Sequence, residues 1–207
     1  MTRGLFITLE GIEGVGKSTA VTRIATLLRA RGRTVVTTRE PGGTALGERI
    51  RELVLAPSTD AMVPLTELLL MFAGRAQHLA TVIEPALEAC RDVVCDRFTD
   101  ASYAYQGAGR GIDRQLIAQA ERLVHPCLQP DLTLLLDAPP AIGMARVHAR
   151  GAADRFEQER SAFFDRVRAG YLERAHREPT RFAIVDATQT LTAVAAEIDR
   201  IVGSRVP

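Results

Sequence analysis

Lysine is almost missing from this chain of 207 residues, and asparagine does not occur in it. Of the 26 lysine and arginine side chains only Lys17 is lysine. Guanine-specific switch proteins generally read their base with an Asn-Lys-x-Asp loop, which this composition cannot supply. A GTP-dependent switch of the usual form is therefore excluded.

A strong net charge is also lacking, since the formal charge is +1 at pH 7. Nucleic-acid polymers are held through their phosphates by a broad basic field. We therefore expect no nucleic-acid polymer as a partner, and we expect any phosphate binding to be local.

Long apolar stretches and metal-type cysteine spacings are missing too. No stretch is long enough to span a bilayer, so we expect no membrane partner, and residues 1–4 lead into a strand pattern without the features of an export signal. The three cysteines, Cys90, Cys95 and Cys127, have no zinc-like spacing. A reducing, cytoplasmic location fits best.

Five short apolar runs are typical of buried strands. They lie at residues 5–10, 34–38, 92–96, 132–137 and 182–186. Helical patterns separate them, which predicts an α/β fold with a five-stranded parallel sheet flanked by helices in three layers and with ligands at the carboxyl ends of the strands. The length and the 46% hydrophobic content favour a single domain over residues 1–207.

Helix-period patterns cover residues 18–31, 46–55, 65–89 and 142–150, and another resumes near residue 158. Pro85 predicts a kink or a boundary inside the third pattern. Small residues interrupt the last two patterns, with Arg150 and Arg155 at the ends of the break. This arrangement suits a lid of about residues 150–160 that closes over a nucleotide. The alternative is an exposed turn between two helices.

A glycine-rich turn stands between the first strand and the first helix. Gly11, Gly16, Lys17 and Ser18 match G-x-x-x-x-G-K-[ST] in the strand–turn–helix context that this motif requires. The backbone N–H groups of such a turn surround phosphates, the lysine reaches the β and γ phosphates, and the hydroxyl can ligate Mg²⁺. The sequence thus predicts a P-loop NTPase fold. ATP with Mg²⁺ would be held by Gly11, Ile12, Glu13, Gly14, Val15, Gly16, Lys17, Ser18 and Thr19.

Four arginines, Arg39, Arg51, Arg75 and Arg97, lie in or beside loops that follow predicted strands. Guanidinium groups bind phosphate monoesters well, and a small-molecule kinase needs a second anion site for its acceptor. The pattern therefore favours a kinase of small molecules. The alternative for each arginine is a solvated surface charge.

Six short segments occur in one order over nearly the whole chain. They are residues 6–11 (FITLEG), 38–43 (TREPGG), 95–98 (CDRF), 104–107 (AYQG), 109–112 (GRGI) and 130–133 (PDLT). In this combination the chain resembles the bacterial thymidylate kinases. The resemblance implies phosphorylation of dTMP by ATP, and it implies a homodimer.

The same resemblance implies roles for individual acceptor-site residues. Glu13 would approach the deoxyribose 3′-hydroxyl, while Arg39, Arg51 and Arg97 would hold the acceptor phosphate and the region between the two phosphates. The implied acceptor site comprises Glu13 from the glycine-rich turn and, within about residues 38–110, Arg39, Glu40, Arg51, Met71, Phe72, Arg75, Arg97, Ser102, Tyr105 and Gln106.

Base and sugar recognition would fall to a subset of these residues. Arg75 would bond the thymine carbonyl, Ser102 and Gln106 would complete the polar edge, and Tyr105 would crowd the 2′ position of a ribonucleotide. In the bacterial thymidylate kinases, an aromatic ring four residues before the arginine that corresponds to Arg75 usually stacks on thymine. Here Met71 has that place and Phe72 follows it. A helix puts both near Arg75, and we choose Phe72 as the stacking residue, with Met71 beside it. The alternative is that both are simply core.

Metal binding would involve Ser18 and Asp96, the latter through the water shell of Mg²⁺. Asp96 closes an apolar strand, and its alternative role is a buried ion pair with an arginine. Asp137, which closes another strand, is the rival for the metal role from sequence alone.

The cation for the transferred phosphoryl group would come from the lid, since Gly14 occupies the position where some family members carry an arginine. Arg155 is the first candidate and Arg150 the second, which could instead lie against adenine. Lys17 and Arg97 would complete the catalytic set. Gln189 resembles the adenine-side loop, with a helix start as the alternative.

No histidine or carboxylate is obviously placed as a general base, and this reaction needs none. A phosphate monoester has its second pKa at about 6, so its oxygen attacks without first losing a proton to the protein.

Two alternative functions stay open. One is a kinase of uridylate or deoxycytidylate, because selection of thymine over uracil depends on one methyl group worth only ~1–3 kcal/mol. The other is an ATP-dependent switch or binding protein.

Overall fold

The computed structural model of the chain describes residues 3–57, 61–149, 154–157 and 159–206. Its centre is a five-stranded parallel sheet in the order β2-β3-β1-β4-β5. The strands are β1 (Phe6–Glu10), β2 (Val35–Arg39), β3 (Asp92–Asp96), β4 (Leu132–Asp137) and β5 (Phe182–Asp186). The predicted fold class is confirmed, and every strand lies within one residue of its predicted bounds.

The helices of the described residues flank this sheet. They are α1 (Lys17–Ala30), α2 (Ala45–Leu55), α3 (Pro64–His78), α4 (Glu84–Glu88), α5 (Thr99–Ser102), α6 (Arg114–Val124), α7 (Pro140–His148), α8 (Ser161–Arg177) and α9 (Leu191–Arg205). Most bounds agree with the predicted patterns, but α8 begins at Ser161 and not near residue 158.

The long pattern predicted over residues 65–89 is divided. A π-helical segment, Leu79–Ile83, separates α3 from α4. Pro85 has no N–H to donate to a carbonyl one turn earlier, so the regular ladder cannot continue through this point. The predicted boundary is thus present, but the backbone widens before the proline and the helix continues.

A second π-helical segment, Tyr103–Gly109, carries two residues of the predicted acceptor site. It packs closely on α8, because a Cβ added at Gly109 would lie 2.7 Å from the Phe163 ring and one at Gly170 would lie 2.7 Å from Ala108. Glycine at these contacts allows the two backbones to approach. The α8 helix thereby supports the segment that holds Tyr105 and Gln106.

The order of the strands indicates where a ligand-binding site lies. The chain leaves β1 toward β2 on one side of the sheet, and it leaves β3 toward β4 on the other side of β1. Ligands of such sheets bind where the direction reverses, outside the carboxyl ends of the strands. In register, Asp96 at the end of β3 lies beside both Leu9 and Arg39. None of the helices within the described ranges is long and apolar enough to cross a bilayer.

Candidate functional site

A cleft of about 410 Å³ opens at the carboxyl ends of β1, β2 and β3. The glycine-rich turn forms one wall, and the loop after β2 together with α3 forms another. Of the residues that the sequence predicts, the lining includes Lys17, Arg39, Arg75, Asp96 and Gln106. The structure therefore brings the predicted phosphate cradle and the predicted acceptor residues into one cavity.

The glycine-rich turn has the backbone geometry of a phosphate cradle. Gly11, Gly14 and Gly16 have φ values of 133°, 72° and 95°, which L side chains rarely adopt. The α1 helix begins directly afterwards, at Lys17. The Lys17 ammonium donates to the carbonyls of Gly11 (3.1 Å) and Ile12 (2.7 Å). Burial, together with the nearby Arg97 charge, lowers the pKa of Lys17 to about 8.

Gly14 cannot carry a side chain in this structure. A Cβ added there would lie 2.0 Å from the carbonyl oxygen of Gly143 on α7, at a backbone φ of 72°. A Cβ added at Gly143 would in turn lie 2.4 Å from the Glu13 carbonyl oxygen. The cradle and α7 thus touch through backbone, which gives a steric reason why no arginine occupies position 14.

Arg97 is held in one orientation at the junction of the two walls. Its backbone φ is 70°, an uncommon value for a side chain other than glycine. Nη1 donates to the Gly11 carbonyl and to the Tyr171 hydroxyl, both at 2.9 Å, and Nη2 donates to Glu13 at 3.0 Å. The guanidinium carbon lies 4.7 Å from the centre of the Tyr105 ring. These contacts fix the direction of the guanidinium group.

Glu13 and Tyr105, predicted to face the sugar, are in contact with each other. The Tyr105 hydroxyl donates to the Glu13 carboxylate at 2.7 Å. The Tyr105 ring is packed edge-on against Phe156, Phe163 and Tyr171. The ring is therefore rigid at the wall of the cleft.

Two residues behind Arg97, Glu10 and Tyr171, were not predicted from the sequence as part of the site. The Tyr171 hydroxyl donates to Glu10 at 2.8 Å, and the Phe98 N–H donates to the other Glu10 oxygen at 2.7 Å. Burial and the nearby Asp100 carboxylate raise the pKa of Glu10. The sequence held a partial signal, a carboxylate that ends a buried strand, but nothing linked it to a tyrosine on α8.

Arg75 lies buried on the opposite wall, 3% exposed. Its Nε donates to Glu40 at 2.7 Å, and both Nη atoms lie 3.2 Å from the Ser102 hydroxyl. His78 contacts the other Glu40 oxygen at 3.0 Å. Three residues predicted from different segments, Arg75, Glu40 and Ser102, thus form one hydrogen-bonded group.

The two candidates for base stacking are placed differently. The Phe72 ring lies against the Arg75 guanidinium at 4.6 Å, and it packs in a small apolar cluster with Leu68, Tyr103 and Ile117. Met71 lines the cleft. The choice of Phe72 as the stacking ring does not match this placement, because its ring faces Arg75 and the core.

Arg39 and Arg51 flank the loop after β2 and line the cleft. Arg39 pairs with Glu48 at 2.9 Å while its side chain stays 53% exposed. Arg51 donates to the Pro41 carbonyl at 3.0 Å. Burial and the Arg39 charge lower the pKa of Arg51, as expected where like charges share one cavity.

Of the lid candidates, Arg150 lies outside the described residues. Arg155 is not among the residues that line the cleft, but its guanidinium lies 4.6 Å from the ring of Phe156, which does line it. Its Nε donates to the Val54 carbonyl at 2.7 Å, and its Nη2 donates to Glu67 at 2.6 Å. A role at the transferred phosphoryl group requires Arg155 to exchange these partners.

Sequence reasoning missed Arg146, which lines the cleft beside the cradle. Its guanidinium donates to the carbonyls of Ala187 (3.2 Å) and Gly14 (3.4 Å). Arg146 precedes the predicted Arg150 by four residues, a helical spacing that could have indicated it. Gln189 lies in the loop between β5 and α9, where its side-chain amide donates to Asp186 at 2.8 Å. This contact is typical of a turn that precedes a helix.

The two candidate metal carboxylates differ in their partners. Asp137 accepts two hydrogen bonds from Arg168, at 2.7 and 2.8 Å. Asp96 lines the cleft, and its buried Oδ1 has no hydrogen-bond partner. Within the described residues no cluster of three or more His, Cys, Asp or Glu could hold a metal by itself. An ion that keeps its waters and binds phosphate, such as Mg²⁺, fits Asp96 and Ser18.

The chain is similar to known proteins over nearly its whole length. The family model described as thymidylate kinase matches residues 9–198. A thymidylate kinase of Pseudomonas syringae pv. syringae (strain B728a) is 61% identical over 198 residues, which are 96% of this chain and 94% of that protein. One of Ectopseudomonas mendocina (strain ymp) is 57% identical over 201 residues, which are 97% and 96% of the two chains. The crystal structure of thymidylate kinase from Ehrlichia chaffeensis gives a TM-score of 0.79 at 33% identity, covering 97% of this chain and 99% of that one.

Proposed function

We propose that two ligands occupy separate parts of the cleft, and we start from the finding that this chain belongs to the thymidylate kinase family. The enzyme transfers the γ-phosphoryl group of ATP to dTMP and gives dTDP and ADP. ATP lies on the Lys17 side of the cleft, and dTMP lies between Tyr105 and Arg75. The observation that carries this division is the single cavity in which a phosphate cradle faces a second group of arginines.

On the ATP side, residues 11–19 hold the phosphates through backbone N–H groups at the start of α1. Lys17 leaves the carbonyls of Gly11 and Ile12 and binds the β and γ phosphates. Arg146 adds a positive charge next to Gly14. A lid of about residues 150–160 covers this side, and Arg150 or Arg155 reaches the transferred group from it.

On the acceptor side, within about residues 38–110, Arg39, Arg51 and Arg97 hold the dTMP phosphate. Arg75 donates to the thymine carbonyl from a position that Glu40 fixes. Met71, which lines the cleft, contacts the face of the base. Ser102 and Gln106 complete the polar edge, and Glu13 accepts from the 3′-hydroxyl.

The transfer itself needs positioning and charge, and no general base. An oxygen of the largely dianionic dTMP phosphate attacks the γ phosphorus in line, and the bond to the bridging oxygen of ADP breaks. Lys17 and Arg97 compensate the charge on the transferring group, and the hydrogen bonds of Arg97 to Gly11, Tyr171 and Glu13 lower the cost of orienting it. Mg²⁺, held by Ser18 and through water by Asp96, would neutralise phosphate charge when bound.

A panel of acceptors tests this function. The protein is given ATP and Mg²⁺ with dTMP, dUMP, dCMP or UMP, and the nucleoside diphosphate formed is measured. We expect dTDP as the fastest product, with ADP in equal amount. ATP loss without any nucleoside diphosphate would support a switch or binding protein, and faster dUDP or dCDP formation would reassign the acceptor.

We also propose that the chain forms a homodimer through α3 and α6, which pack on each other. Leu65 and Leu69 on α3 are 47% and 57% exposed, and Leu116 and Leu123 on α6 are 40% and 85% exposed. An apolar patch of this kind favours a protein interface. Sedimentation velocity should show a dimer that Leu69→Asp dissociates and that Leu191→Asp, on α9, leaves intact. A monomeric parent protein would contradict the proposal.

Cys95 and Cys127 carry free thiols. Free thiols favour a reducing compartment, and we propose the cytoplasm on that ground.

A further inference from the structure

Glu67 is a fully buried carboxylate on α3 that the proposed mechanism does not use. Its side chain is 0% exposed. Oε1 accepts a hydrogen bond from Gln106 Nε2 at 2.8 Å, and Oε2 accepts one from Arg155 Nη2 at 2.6 Å. Arg110 lies 3.3 Å from the same oxygen. Two guanidinium groups therefore compensate the buried negative charge, as a buried carboxylate requires.

The contact with Glu67 decides which end of the Gln106 amide faces the cleft. An ionised carboxylate can only accept hydrogen bonds, so the NH₂ group of Gln106 must face Glu67. Gln106 is 1% exposed and lines the cleft. Its carbonyl oxygen is then the end left for a ligand. The Gln106 side chain thereby presents an acceptor in a cavity where Arg75 presents donors.

We propose that Glu67 is a positioning residue that sets the donor–acceptor sense of base recognition through Gln106. This inference rests on the proposed function, in which the base lies between Arg75 and Gln106. Thymine offers an acceptor at O4 and a donor at N3–H, and that edge matches a donor from Arg75 and an acceptor from Gln106. Cytosine offers the opposite pair, a donor at N4 and an acceptor at N3, so both contacts fail with dCMP.

The substitution Glu67→Gln tests the proposal. A glutamine at this position keeps the volume but can present either a donor or an acceptor, so Gln106 is free to turn its NH₂ group toward the base. We expect the ratio of kcat/KM for dTMP to that for dCMP to fall about tenfold or more, since one matched pair of base contacts carries discrimination of that order. A general loss of packing would lower both values and leave the ratio unchanged.

Glu159→Gln is the matched control. Glu159 pairs with the same Arg110, at 2.5 Å, but it is 28% exposed. The change of chemistry is identical, and the dTMP/dCMP ratio should stay at the parent value. An equal fall of the ratio in both variants would overturn the proposal, because loss of any charge near Arg110 would then explain it.

Gln106→Met separates this proposal from the proposed function. If it leaves KM for dTMP unchanged, Gln106 does not contact the base. The proposed position of the base and the proposed role of Glu67 then both fail. If it raises KM for dTMP while Glu67→Gln leaves the ratio unchanged, only the role of Glu67 fails. Should Glu67→Gln not fold, the side-chain amide of Gln106 is followed by NMR in the parent protein, with the Gln106→Met spectrum as its assignment. We expect its NH₂ protons to exchange slowly with water with and without dTMP, and fast exchange in either state would overturn the proposal.

Discussion

The contact between the cradle and α7 makes Gly14→Ala the most quantitative test of the local geometry. The new Cβ would meet the Gly143 carbonyl oxygen at 2.0 Å, a distance that the backbone must relieve by moving. Gly32 is the matched control. It has a similar φ, 78° against 72°, but a Cβ there would meet nothing within 4 Å.

The two substitutions share one cost and differ in another. Placing alanine in the left-handed region costs about 1–2 kcal/mol at either position, and the entropic effect of replacing glycine in the unfolded chain is common to both. Only Gly14→Ala adds overpacking, at about 1–3 kcal/mol. We therefore expect a loss of about 1–2 kcal/mol for Gly32→Ala and about 2–5 kcal/mol for Gly14→Ala.

Urea denaturation of the parent and the two variants measures these free energies, with the slope compared to detect a change in the unfolded state. KM for ATP is measured in parallel. Gly14→Ala should raise KM for ATP because the cradle moves, whereas Gly32→Ala should not. Equal losses of stability in the two variants, with equal KM, would refute the close approach of residue 14 to α7.

Lys17→Ala should lower kcat by ~10²-fold or more with little change in unfolding temperature, since it removes a cation at the transferred group; near-normal turnover would rule out the cradle. Because the pKa of Lys17 is lowered to about 8, the ammonium of the free enzyme loses its proton as pH rises through that value, and kcat/KM for ATP should fall above it; a profile that stays flat well above pH 8 would contradict this. Arg155→Ala should reduce kcat far more than affinity for dTMP if the arginine reaches the transition state; an effect limited to KM or stability would assign it to its contact with Glu67. Tyr105→Ala should improve the use of ribonucleotide acceptors while Tyr105→Phe keeps the deoxy preference, and an unchanged preference in both would remove Tyr105 as the sugar gate.

Local patterns were sufficient for the sheet and the cradle. The strands are short, mainly apolar runs, and β1 is buried along its whole length, so their pattern located them. The cradle was predictable because its glycines, Lys17 and Ser18 all lie within the short segment of residues 11–18. The division of the long helix before Pro85 was only partly predictable, since proline marks a boundary but does not dictate a π-helical segment.

Contacts between distant segments could not be read from spacing. Arg97 and Tyr171 are 74 residues apart, and Glu67 and Gln106 are 39 apart. Such pairs depend on how α3, α8 and the π-helical segment dock, which no local pattern records. The same holds for Met71 and Phe72: both lie on the helical face near Arg75, and only the rotation of α3 in the packed protein decides which one lines the cleft.

A crystal structure of the protein with dTMP, Mg²⁺ and a non-hydrolysable ATP analogue tests the division of the cleft most directly. The account predicts the triphosphate inside residues 11–18, with the Lys17 ammonium on the β and γ phosphates. It also predicts the dTMP phosphate at Arg97 and thymine against Arg75. An acceptor pocket that stays empty at saturating dTMP, or a triphosphate bound away from the cradle, would contradict it.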